Sequence, residues 1–164
     1  MKDKLKKYIK EIIIFTITLA IAMNVVSFYR AQDLNKNDLD IKSFKLLDGS
    51  EYNIKTDKPL VIHFWATWCP TCKLEASNIE KLSKDYEVIT IAVQSGSEEE
   101  IKEYLKSNDL TFNVVNDENA FYSSKFNIKV FPTTLIYNKE KNLEFSEVGY
   151  TTTVGLYTRM SVVK

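Results

Sequence analysis

Two cysteines stand three positions apart in Trp68-Cys69-Pro70-Thr71-Cys72, and the 164-residue chain holds no others. Such a pair can open and close a disulfide within one helical turn, or hold a soft ion between two thiolates. With a single histidine, His63, and no third thiol, the chain alone cannot build a closed four-ligand zinc site. One bridge spanning so short a loop cannot staple a fold either. Disulfide exchange is therefore the main reading of the pair, and linear Cu(I) binding, which needs no other metal ligand, is the competing one.

The flanking residues say what must position the cysteines. Lys58-Pro59 opens an unbroken apolar run, Leu60-Val61-Ile62-His63-Phe64-Trp65, whose lack of alternation predicts a strand buried on both faces. Beyond the cysteines, the spacing of Leu74, Ile79 and Leu82 predicts a helix to Asp85, followed by a strand over Val88–Val93. The pair thus sits where a buried strand of a β-α-β unit gives way to a helix, the context of a redox motif. At a helix N-terminus the unpaired N–H groups and the dipole stabilise a thiolate, which makes Cys69 the expected nucleophile and Cys72, one turn further in, the resolving thiol. Pro70 suits the first helical turn, where its missing N–H costs nothing; it serves either as a helix start or as a tuner of the potential.

The remaining elements complete an α/β domain with a central mixed sheet flanked by helices. Asp48-Gly49, between Ser43–Leu47 and Tyr52–Ile54, predicts a hairpin. Ser97 caps a helix begun by Glu98-Glu99-Glu100, with Ile101, Tyr104 and Leu105 inward. A strand over Phe112–Val115, a helix near residues 118–126, strands over Thr133–Tyr137 and Leu143–Val148, and a closing helix over Thr153–Met160 follow.

Ahead of this domain, residues 12–29 carry no charge and come close to the ~20 residues that cross a bilayer. Five lysines precede them, and Tyr8 and Tyr29 flank the span, which predicts one transmembrane helix with its N-terminus in the cytoplasm. A cleaved signal peptide ending at Ala20-Ile21-Ala22 is the alternative; apolar character continuing to Phe28 favours the anchor. The expected organisation is an anchor over residues 1–30, a polar tether over 31–39 and a folded domain over 40–164. Six of the 22 basic residues but only two of the 22 acidic ones fall in residues 1–30, so the remainder has a net charge of −4. That excludes the basic footprint nucleic-acid binding requires.

The run Phe64-Trp65-Ala66-Thr67-Trp68-Cys69-Pro70-Thr71-Cys72-Lys73 resembles the active-site segment of the TlpA-like branch of thioredoxin-fold proteins. Val88–Gly96, Phe112–Asp117 and Gly149–Thr152 are similar to segments of the ScsD-like protein disulfide oxidoreductases, named for suppression of copper sensitivity. The resemblance implies a thioredoxin-like fold with no bound cofactor. It further implies an anchored periplasmic domain of a Gram-negative bacterium that exchanges disulfides with protein thiols and works with a membrane reductase, in copper or oxidative stress tolerance. It also implies a cis bond before Pro132, with Phe131 and Pro132 bordering the disulfide and the Phe131 backbone open to a substrate strand. Trp68 and the dipeptide Pro70-Thr71 complete the substrate-facing set, while Trp65 reads as a core residue.

Some cytochrome c maturation thioredoxins share the Pro-Thr dipeptide, but the acidic residue they carry after the cis-proline is Thr133 here, which weakens an apocytochrome c reductant as the reading. Glu75 occupies the place of an acidic residue near the cysteines of several TlpA-like reductants, and on a helix it could equally be a dipole partner. His63 stands where thioredoxins carry a buried acid. Burial should hold its pKa below ~6.5 and its ring neutral, either as a hydrogen-bonded core residue or as proton acceptor for Cys72.

Overall fold

The computed structural model describes residues 2–34 and 39–163. Five strands form one sheet in the order β5-β4-β3-β6-β7: β3 (Leu60–Trp65), β4 (Glu87–Val93), β5 (Asn113–Asp117), β6 (Thr133–Tyr137) and β7 (Leu143–Val148). β3, β4 and β5 run parallel, while β6 and β7 pair antiparallel at the other side, giving the expected mixed sheet. Every residue of β3 is buried, as its unbroken apolar run requires of a central strand.

Alternation along the strands separates two cores. Val61, Trp65, Val88, Ala92 and Ile136 face the layer of α2 (Pro70–Asp85), α3 (Glu98–Ser107) and α5 (Thr153–Val162). Leu60, Ile62, Phe64, Ile89, Ile91 and Leu135 face the other layer, which holds Phe126 and Ile128 at the end of the short α4 (Phe121–Lys125) and Phe44 of the hairpin. That hairpin pairs β1 (Ser43–Lys45) with β2 (Glu51–Asn53), and Gly49 takes φ +85° in its turn, a conformation that costs glycine no Cβ clash.

Three details depart from the sequence pattern. The buried residues of α2 are Cys72, Glu75, Asn78, Ile79, Glu80 and Leu82, while Leu74 is 72% exposed. The expected helix near 118–126 contracts to Phe121–Lys125, because Ala120 turns left-handed (φ 56°) and the Asp117 carboxylate accepts the N–H groups of Tyr122 and Ser123. The polar tether expected over 31–39 is in part packed: Ala31 and Leu34 are buried in the second core, and Lys129 pairs with Asp33 at 3.2 Å. Two apolar side chains three apart on a 3-10 turn are enough to dock that segment; residues 35–38 lie outside the described residues.

The N-terminal helix α1 (Lys2–Arg30) includes a stretch apolar and long enough to cross a membrane, with mean hydropathy 2.2. Its last turns lie beside β7, where the Ser27 hydroxyl accepts the N–H of Val148 at 2.9 Å.

Candidate active site

β3 delivers the chain to a turn closed by the Cys69 N–H donating to the Ala66 carbonyl (3.2 Å), and α2 starts at once with Pro70 in its first position. Cys69 is the N-cap: its Sγ accepts the N–H of Cys72 at 3.2 Å, so a sulfur occupies the place where a capping oxygen satisfies an orphan helix donor. The two cysteines form a disulfide with Cα atoms 5.2 Å apart. In that form Cys69 is 5% and Cys72 2% exposed, so the outer cysteine is almost as covered as the inner one. Pro70 is exposed and Thr71 half-buried on the rim.

The loop before β6 closes the opposite side. The Phe131–Pro132 bond is cis, as the resemblance implied, with Pro132 buried and Phe131 half-buried. Trp68, 59% exposed, stands edge-on to the Phe131 ring at 5.8 Å and thereby joins the cysteine turn to the cis-proline loop. Trp65 is a core residue, 3% exposed and packed between Tyr104 and Phe112.

Two buried ionisable groups stand on the elements that flank the disulfide, His63 on β3 and Glu75 on α2. The strand registers place His63 in a row that crosses the whole sheet, Val114–Thr90–His63–Thr134–Glu147. Its Nδ1 pairs with the Thr134 hydroxyl at 2.9 Å, and burial pushes its pKa down to about 3. The ring is neutral, as expected, but a base this weak departs from the near-neutral acceptor foreseen for Cys72.

Glu75 lies one turn after Cys72 on the same helix face and is fully buried. Its Oε1 accepts the Thr151 N–H at 3.3 Å, while Oε2 finds no hydrogen-bond partner among the described residues. Burial, helped by the negative charge of Glu147 and opposed by the Thr151 N–H, raises its pKa to about 8. The loop holding it is itself fixed: the Asn78 amide donates to the Thr151 carbonyl (3.0 Å) and to the Tyr150 hydroxyl (3.3 Å). Sequence reasoning did not single out Asn78 or Thr151 as supports for Glu75; the Gly149-Tyr150-Thr151-Thr152 motif was their only trace.

No cluster of three or more His, Cys, Asp or Glu side chains fit to hold a metal occurs among the described residues. A disulfide spanning the first turn of a helix, a cis-proline beside it and a mixed five-stranded sheet define a thioredoxin-like protein of the thiol-disulfide oxidoreductase class.

Comparison with known proteins agrees. The chain belongs to the AhpC/TSA family, whose pattern it matches over residues 29–146. It is 30% identical to a thioredoxin-like protein of Haemophilus influenzae over 96% of this chain and 95% of the relative. The thiol-disulfide oxidoreductase ResA of Bacillus subtilis is 25% identical over 100% of this chain and 97% of its own. The crystal structure of StoA from Bacillus subtilis superposes with a TM-score of 0.64 at 23% identity, covering 71% of this chain and 93% of StoA.

Proposed function

We propose that this chain is an inner-membrane, single-pass oxidoreductase whose domain faces the periplasm and exchanges disulfides with protein thiols through Cys69 and Cys72. The observation that carries the reading is the Cys69 sulfur capping α2 beside the cis-proline loop. Residues 1–30 form the anchor, supported by the length and hydropathy of α1 and by its lysine-rich start. An integral membrane reductase is the matching electron partner.

In the reducing direction the Cys69 thiolate attacks one sulfur of a substrate disulfide, forms a mixed disulfide and expels the first substrate thiolate. Cys72 then loses its proton and attacks the Cys69 sulfur; a Cys69–Cys72 bond forms, the second substrate thiolate leaves, and two electrons have passed to the substrate. Glu75 is the group matched to the Cys72 proton, since a carboxyl with pKa about 8 lies close to the ordinary thiol value of ~8.5. His63, with pKa about 3, is assigned instead to the core as a neutral ring held by Thr134. Trp68, Pro70, Thr71, Phe131 and Pro132 form the surface offered to a substrate chain around the disulfide, with the Phe131 backbone assigned to pair with it.

The test is covalent trapping. Cys72→Ser should accumulate Cys69-linked partners on non-reducing gels, and Cys69→Ser should accumulate none. Equal trapping by both variants would reverse the role assignment, and no trapping by either would remove the exchange reading.

A further inference from the structure

The stretch Val93-Gln94-Ser95-Gly96 has no part in the thiol chemistry, yet it closes on the cysteine turn from the side. Gln94 leaves β4 with φ 44°, a left-handed backbone uncommon for a residue with a side chain, and is held there as its N–H donates to the Asp117 carbonyl at 3.1 Å. The Gln94 carbonyl accepts the indole N–H of Trp68 at 3.1 Å. Ser95 is 6% exposed; its hydroxyl accepts the Thr67 N–H at 3.1 Å and donates to the Val93 carbonyl at 3.0 Å, while its own carbonyl accepts the Thr67 hydroxyl at 3.3 Å. Gly96, at φ +96°, completes the turn where a Cβ would strike the Glu100 carboxylate that caps α3.

Trp68 has more than half its surface in solvent, so no core fixes its ring. What fixes it is the Gln94 carbonyl on one side, the Phe131 edge on the other, and a preceding residue locked to Ser95. An exposed indole without these contacts would sample several rotamers, and each ordered contact to a ligand would then cost side-chain entropy on binding.

We propose that the Gln94–Gly96 turn is a specificity-determining support: it holds Trp68 against Phe131 as a standing apolar wall, so the site favours polypeptide disulfides with an apolar side chain beside the reacting cysteine, and Ser95 is its positioning residue. This rests on the reading that Trp68 faces substrate. The turn acts on recognition and leaves the sulfur chemistry to Cys69 and Cys72.

The experiment uses the full chain in detergent with Trp65→Phe, so that Trp68 is the sole indole emitter, and two synthetic peptide disulfides, one flanked by phenylalanine and one by serine. Ser95→Ala should raise acrylamide quenching of Trp68 and lower the preference for the phenylalanine peptide about fivefold, the order expected for losing the hydrogen bond that locks Thr67, the residue before Trp68. The loss should appear in KM, with kcat kept, and Ser95→Thr should restore it. Unchanged preference and quenching in a folded Ser95→Ala protein would overturn the proposal, as would an equal loss on both peptides. Failure of the parent chain to reduce either peptide would sink the exchange reading, and this proposal with it.

Discussion

Glu75 and Glu80 sit five residues apart on α2, both buried carboxyls on one helix, and their surroundings give them opposite chemistry. Glu80 accepts the Thr111 N–H and the Thr111 hydroxyl at 2.7 Å each and the Phe112 N–H at 3.2 Å, with Lys84 at 3.5 Å. Burial alone would raise its pKa, but those bonds outweigh burial and hold it below the ordinary carboxylate range. Glu75 receives one long backbone bond and is raised to about 8. A buried carboxylate whose lone pairs are filled is held ionised, whereas one left half-filled is pushed toward its protonated form. The first fastens Thr111 and Phe112 to the helix, and the second is the carboxyl to which the proposed mechanism gives the Cys72 proton.

Glu75→Gln keeps the shape but cannot carry a proton, and it should slow resolution of the mixed disulfide by on the order of 10²-fold. Its stability should not suffer, and calorimetry should show a gain at alkaline pH. Because the folded pKa of Glu75 lies above the unfolded value of 4.5, its contribution to stability is full below pH 4.5 and is lost as pH rises through about 8. Wild type and Glu75→Gln should therefore melt together near pH 4 and diverge toward pH 8; a constant gap would contradict the raised pKa.

Glu80→Ala should do the reverse, leaving exchange per folded molecule intact while lowering stability by about 1–3 kcal/mol in urea titration, because the buried Phe112 N–H and the part-buried N–H and hydroxyl of Thr111 lose their acceptor. Glu80 has a depressed pKa, so its contribution is present above the unfolded carboxyl value and is lost as pH falls through the folded one. A Glu80→Ala chain as stable as wild type would show that the segment is held by other contacts.

The smallest effect is expected at His63. Its folded pKa of about 3 lies below the free value of 6.5, so the stability it carries is present above pH 6.5 and drains as pH falls toward 3. His63→Asn should flatten that acid limb in thermal melts and leave resolution unchanged. Slower resolution at constant folded fraction would return the proton-acceptor role to His63.

The parts legible in the sequence were those set by local pattern. β3 declared itself by six residues without a polar break other than His63, and the strands Thr133–Tyr137 and Leu143–Val148 were bounded by their flanking turns. Ser97 and Glu100 form the capping box that their spacing allows. What failed did so where tertiary chemistry overrode pattern. Periodicity counted Leu74 as inward because it is apolar, whereas the inward slot beside Cys72 belongs to Glu75. Ala31 and Leu34 looked like part of a polar tether because four of their immediate neighbours are polar, and only packing against the sheet reveals them as core. The cysteine pair and the cis-proline loop were foreseen, while the fixed pose of Trp68 was not, since it depends on a left-handed Gln94 that no propensity assigns.

The measurement that bears most directly on this account is single-turnover exchange of the reduced chain with a protein disulfide, followed by stopped flow from pH 5.5 to 9 in wild type, Glu75→Gln and Glu80→Gln. A resolution rate that rises through pH about 8 in wild type and Glu80→Gln, but is about 10²-fold lower there in Glu75→Gln and climbs only as Cys72 ionises unaided, is the expected result. The same pH profile in all three proteins would contradict it, leaving Glu75 a buried carboxyl with no part in the chemistry of Cys69 and Cys72.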